Sequence, residues 1–126
     1  IHPQAAVAAA AAECAGDQGA FFEMDTALFA GQERWSVDDP DPVFVDLAGD
    51  IGLDTAAFTT CLGSREPLER VIEDIYDATG VAQETPTFVA IYGGRGALFT
   101  GAREVDDFVA LLQAQVESAV EAGDAG

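Results

Sequence analysis

Through residue 80 the apolar positions recur every three or four residues and each run halts at a glycine, a pattern that predicts consecutive short helices. His2 and Pro3 suit a helix start, because proline in the first turn lacks only an N–H that would go unpaired there. The alanines carry this helix to about Ala15, before Gly16. Phe21, Met24, Leu28 and Phe29 line a second helix closed by Gly31, and residues 32–41 read as a loop. Asp41 and Pro42 form a cap and first-turn pair for a third, with Phe44, Leu47, Ala48 and Ile51 on one face before Gly52. Asp54 is a good cap for a fourth, in which Leu53 and Phe58 are placed as a hydrophobic staple and Gly63 is the stop. Ser64 caps a fifth, with Leu68, Val71, Ile72 and Ile75 on its inner face and Gly80 at its end.

Beyond Gly80 the pattern changes. Residues Thr87 to Tyr92 are β-branched or aromatic on both alternating faces, as in a strand covered on two sides. Gly93, Gly94 and Gly96 supply a turn, and Ala97 to Thr100 return as a second strand. A last helix, from about Glu104 to Ala122, carries Val105, Phe108, Val109, Leu112, Val116 and Val120 on its buried stripe. Glu104, Asp106 and Asp107 suit its positive N-terminal end, and residues 123–126 read as a frayed tail. One hairpin is marginal as a sheet and needs further strands beside it, so strands are absent from this chain or supplied by another one.

The 126 residues are the size of one domain, and 49% hydrophobic content is enough for a core. Five arginines, no lysine and 23 carboxylates give a formal charge of −18, which repels a nucleic-acid backbone and an anionic membrane surface. The acidity fits either solvation at high salt or an acid-rich composition without special purpose. Ala5 to Ala12 is too short and too weakly apolar to cross a bilayer, so no membrane span is expected. The chain begins with Ile1 and lacks the pattern of a signal peptide, and it reads as a fragment or a processed form.

Candidate chemistry is sparse. Cys14 and Cys61 stand 47 positions apart, too far to form an adjacent dithiol. A structural cystine joining two helices is the preferred reading; two reduced thiols packed as small hydrophobes and a redox-active pair are the others. One histidine and two distant cysteines make no metal-ligand spacing, so neither a metal nor a cofactor is expected. Trp35 either anchors a partner or closes a helical hairpin. The carboxylates read as a solvated surface without an acid–base pair, and Gly93, Gly94 and Gly96 do not form a phosphate cradle. Pro86, after Thr85, stands at the first position of a strand, where its missing N–H harms no ladder.

Taken in order, the segments resemble the DsbA-like branch of the thioredoxin superfamily. Residues His2-Pro3-Gln4-Ala5-Ala6, Glu13-Cys14-Ala15, Gln18-Gly19 and Phe21-Phe22-Glu23-Met24 look like the start of that family's helical insertion. Leu28-Phe29, Gln32-Glu33-Arg34-Trp35, Ile51-Gly52-Leu53-Asp54, Phe58 and Cys61-Leu62 continue it. Gly80-Val81 and Thr85-Pro86-Thr87-Phe88 resemble its cis-proline segment, and Phe99-Thr100-Gly101-Ala102 its last strand and final helix start. Val81-Ala82-Gln83-Glu84 departs from the pattern, being a residue longer and acidic where glycine is common.

The resemblance implies a truncated α/β thioredoxin-like fold: a helical insertion over residues 1–80, then a C-terminal β-β-α part over 81–126. The family's Cys-X-X-Cys helix and neighbouring strands would precede Ile1. It further implies a cis Pro86, a substrate-binding role for Thr85 and Pro86, and a structural Cys14–Cys61 bond. The expected activity is thiol-disulfide exchange by an extracytoplasmic oxidoreductase, with no catalytic residue in this chain, which alone is expected to be inactive. Its partners would be a cysteine-containing protein or peptide and a redox protein. The alternatives are a non-catalytic peptide-binding module and a glutathione-dependent transferase or isomerase on the same fold.

Overall fold

A computed structural model describes residues 3–123; the readings placed on His2 and on residues 124–126 lie outside them. The described chain is mostly helical, with one two-stranded antiparallel sheet. It divides into two compact units, Ile1–Tyr76 and Asp77–Gly126.

In the first unit, α1 (Ala5–Gly16) is nearly all alanine, the residue that loses least on entering a helix. Its small side chains let other helices approach closely, and the large residues come from those neighbours. Ala8, Ala11, Ala12, Cys14 and Ala15 of α1 are buried against Met24 and Leu28 of α2 (Phe21–Ala30), Phe44, Leu47 and Ala48 of α4 (Asp41–Asp50), and Phe58 of α5 (Thr55–Leu62). The stretch predicted as a loop contains a four-residue helix, α3 (Gln32–Trp35), whose Trp35 is buried in the same core. Its indole N–H donates to the Leu28 carbonyl at 2.8 Å, and its ring lies 6.0 Å from that of Phe44. Trp35 therefore closes the core instead of presenting itself to a partner.

Local hydrogen bonds fix the start of α5. Asp54 Oδ1 accepts from the N–H groups of Ala56 and Ala57 at 2.9 and 3.0 Å, satisfying two donors that the helix leaves open. Gln18 holds the same turn from outside, accepting from Asp54 N at 2.9 Å and donating to Asp54 O at 3.2 Å. Two other expected caps differ. Asp41 sits inside α4, with Pro40 at the cap position and no side-chain cap bond. Ser64 donates to the Cys61 carbonyl at 2.8 Å, closing the end of α5, while α6 (Glu66–Thr79) begins two residues later.

On α6 only Pro67 and Val71 are buried; Leu68, Ile72 and Ile75 of the predicted inner face are exposed. A 3.6-residue period identifies an apolar face but not whether anything covers it.

In the second unit, β1 (Thr87–Tyr92) and β2 (Arg95–Thr100) pair from Thr87↔Thr100 to Tyr92↔Arg95. Gly93 and Gly94 have φ of 57° and 73°, the left-handed pair that a two-residue hairpin turn requires. The final helix α7 (Val105–Gly123) packs on β1 through Phe108, whose ring lies 4.8 Å from that of Phe88. Its half-buried line is Phe108, Leu111, Gln115 and Ala119. The more apolar line, Val105, Val109, Leu112, Val116 and Val120, is exposed, which corrects the predicted buried stripe. The strand pair likewise lacks its expected second cover: Val89, Ile91 and Leu98 are exposed.

These environments predict unequal costs of truncation. Phe58→Ala should lower unfolding free energy by about 3–5 kcal/mol and Asp54→Ala by about 1 kcal/mol. Val120→Ala should cost less than about 0.5 kcal/mol. Urea titrations of the three variants against the parent chain test this ordering.

Candidate functional site

The cysteines join α1 to α5. Cys14 and Cys61 form a disulfide with an S–S distance of 2.11 Å and Cα atoms 5.7 Å apart, so both cysteines of the chain are used. Cys14 is fully buried and Cys61 partly so. A closed bond with one buried sulfur is placed to brace helices, and neither sulfur is a thiolate able to attack.

A charged cluster lies beside this brace. Arg70 of α6 pairs with three carboxylates: Nε lies 2.9 Å from Glu13, Nη2 donates to Asp17 Oδ2 at 3.0 Å, and Nη1 lies 3.5 Å from Glu66. Asp17 Oδ2 also stands 3.6 Å from Cys61 Sγ. The hydrogen bond to Asp17 raises the Arg70 pKa, partial burial opposes it, and the charges of Asp17 and Glu13 raise it further. Arginine is cationic at any working pH, so the cluster is a fixed positive point among carboxylates. It ties α6 to the end of α1.

In the second unit, the Thr85–Pro86 peptide bond is cis. The Pro86 carbonyl accepts from Gly101 N at 2.9 Å, and the Thr87 hydroxyl donates to the Glu84 carbonyl. Thr85 and Pro86 thus stand at the foot of the hairpin, whereas Cys14 and Cys61 belong to the first unit. A shallow groove of about 330 Å³ beside the first turns of α7 is lined by Arg103, Asp107, Ala110 and Leu111. Among the described residues no three His, Cys, Asp or Glu side chains converge to hold a metal ion, and no helix is long and apolar enough to cross a membrane. Sequence reasoning missed Arg70 as an organising residue. The signal was present as Glu66 and Arg70 one helical turn apart, but Glu13 and Asp17 join them only through the fold.

Over 89 residues, 70% of its length, the chain is 40% identical to the Na(+)/H(+) antiporter NhaA 1 of Salinispora arenicola. Over 90 residues it is 37% identical to the Na(+)/H(+) antiporter NhaA 3 of Salinispora tropica. Each match covers 13% of the antiporter's own length. No family model matches the chain, and no solved structure does.

These relatives correct the functional expectation. They are antiporters of sodium ions and protons, not thiol-disulfide oxidoreductases, and ion exchange involves no attack by a thiolate. The identification as a DsbA-like oxidoreductase is overturned, together with its cysteine-containing substrate and redox partner. The peptide-binding and glutathione-dependent alternatives gain no support. The shared order of small motifs between His2 and Ala102 was not diagnostic of redox activity.

Two variants test the bracing role. Closing a loop of 47 residues stabilises by about 4 kcal/mol in the chain-entropy model, so the Cys14→Ser/Cys61→Ser double variant should lose a comparable amount in chemical denaturation. Arg70→Gln should cost about 1 kcal/mol at low salt and less at high salt, because its partners are partly exposed.

Proposed function

We propose that this chain is an extramembrane, acidic part of a Na+/H+ antiporter, anchored at the membrane by the remainder of that protein. The observation that carries the reading is the 37–40% identity to two antiporters over 70% of the chain. The absence of a helix able to cross a bilayer among the described residues supports a position outside the membrane core. The cystine favours the extracytoplasmic side, where disulfides persist. A thioredoxin-like architecture is part of the same proposal, supported by the run of helices followed by a β-β-α segment.

The charge suggests what such a part does. A body carrying −18 draws cations toward itself and raises their local concentration within roughly a Debye length, about 8–10 Å at 0.1–0.15 M salt. Set beside the transport mouth, it would supply sodium ions and protons to the exchanging site without binding either tightly. The ion pathway itself would lie in the rest of the antiporter.

Membrane vesicles containing the full-length protein, with and without this segment, test the reading. With the segment present, the apparent KM for sodium should be about two- to tenfold lower at low ionic strength, and the difference should vanish at 0.5 M choline chloride. Equal KM values at low ionic strength would contradict the charge role. A full-length protein without Na+/H+ antiport activity would contradict the membership itself.

A further inference from the structure

The two sulfurs of the cystine are not equally open to attack. Cys14 is 1% exposed and belongs to the helical core with Ala11, Ala15 and Phe58, whereas Cys61 is partly exposed near the end of α5. Thiol–disulfide exchange begins with a thiolate touching the sulfur it attacks, so access decides in favour of Cys61.

The group beside Cys61 is a carboxylate. Asp17 Oδ2 stands 3.6 Å from Cys61 Sγ, and a sulfur bonded to another sulfur has no proton to donate, so the contact sets a negative charge against the atom that would react. Arg70 fixes that charge in place. Its Nη2 donates to the same oxygen at 3.0 Å, while Nε and Nη1 lie 2.9 and 3.5 Å from Glu13 and Glu66. Three carboxylates against one guanidinium leave the cluster net negative. All of these groups belong to the Ile1–Tyr76 unit.

We propose that Cys61 is the sulfur through which a thiol opens this cystine, and that Asp17, held by Arg70, is a charge guard against anionic thiols at that sulfur. In the step, the thiolate of a low-molecular-weight thiol attacks Cys61 Sγ and forms a mixed disulfide with it. The Cys14–Cys61 bond breaks, its electron pair leaves on Cys14, and solvent supplies the proton that makes the Cys14 thiol. A second molecule of the reductant then attacks the incoming sulfur and releases Cys61 as a thiol, so two reductant thiols end as one disulfide. The negative charge of the first transition state is spread over three sulfurs, and the middle one, Cys61, is the one next to Asp17. Expelling a thiolate into an apolar core slows the step further. The inference concerns the bracing bond and is independent of the antiporter reading.

Reduction rates of the folded 126-residue chain test it, measured at low ionic strength and expressed per thiolate. The reductants are 2-aminoethanethiol, 2-mercaptoethanol and 2-mercaptoethanesulfonate, whose thiolates are neutral overall, singly negative and doubly negative. Asp17→Asn should speed reduction by 2-mercaptoethanesulfonate about three- to tenfold and by 2-aminoethanethiol less than about twofold, and the difference should disappear in about 0.5 M choline chloride. Loosening of the Arg70 tie would speed all three reductants alike, so the ratio between them is the readout. Asp39→Asn is the control. It removes the same charge from a loop whose Val37 carbonyl accepts from Gln4 at 2.7 Å, about 15 Å along α1 from Cys14, and should leave the ratio within about 1.5-fold of the parent. After brief exposure to 2-mercaptoethanesulfonate and an acid quench, peptide mass spectrometry should find the adduct on Cys61. An adduct on Cys14 would overturn the proposal, as would an Asp17→Asn ratio equal to that of the parent. A cystine that none of the three thiols opens, in the parent or in Asp17→Asn, would overturn it as well.

Discussion

A two-stranded antiparallel ladder turns half of its backbone hydrogen-bonding groups away from the pair, and one helix can cover only one of its faces. In the Asp77–Gly126 unit that constraint governs everything else. Phe88 and Phe108 hold α7 to one side of β1, and Val89, Ile91 and Leu98 on the opposite side are exposed among the described residues. The exposed valines of α7 are a second consequence. A helix resting on a narrow hairpin buries one line of side chains, here Phe108, Leu111, Gln115 and Ala119, and leaves its adjacent and more apolar line in water.

The Ile1–Tyr76 unit is built on the opposite principle. Alanine on α1 gives up side-chain volume, and Met24, Phe44 and Phe58 from three other helices fill the space. The cystine fixes α1 to α5, and Arg70 adds a charged tie from α6 to the end of α1. No polar side chain is buried among the described residues of this core, so its stability rests on packing and on the two cross-links.

Much of the local structure was legible in the sequence because it depends on near neighbours. Glycine stops, the Asp54 cap and the Gly93-Gly94 turn each act within a few residues. What could not be read depends on partners distant along the chain. Leu68, Ile72 and Ile75 have the spacing of a buried face, as do Val109, Leu112 and Val116, but periodicity carries no information about what lies opposite. The same limit applies to the candidate site. Cys14 and Cys61 could be noticed as a pair, whereas Glu13, Asp17 and Arg70 meet only after folding. Function was read least well, because a sequence of small family-like motifs was given chemical meaning that the antiporter relatives do not share.

The chain therefore combines one closed helical core with one hairpin covered on a single face. Residue-resolved amide hydrogen exchange tests that contrast most directly. Amides in the interior of α1 should exchange slowly, while those of Val89 and Ile91, which point away from β2, should exchange fast. Strong protection of Val89 and Ile91, or rapid exchange throughout α1, would contradict it.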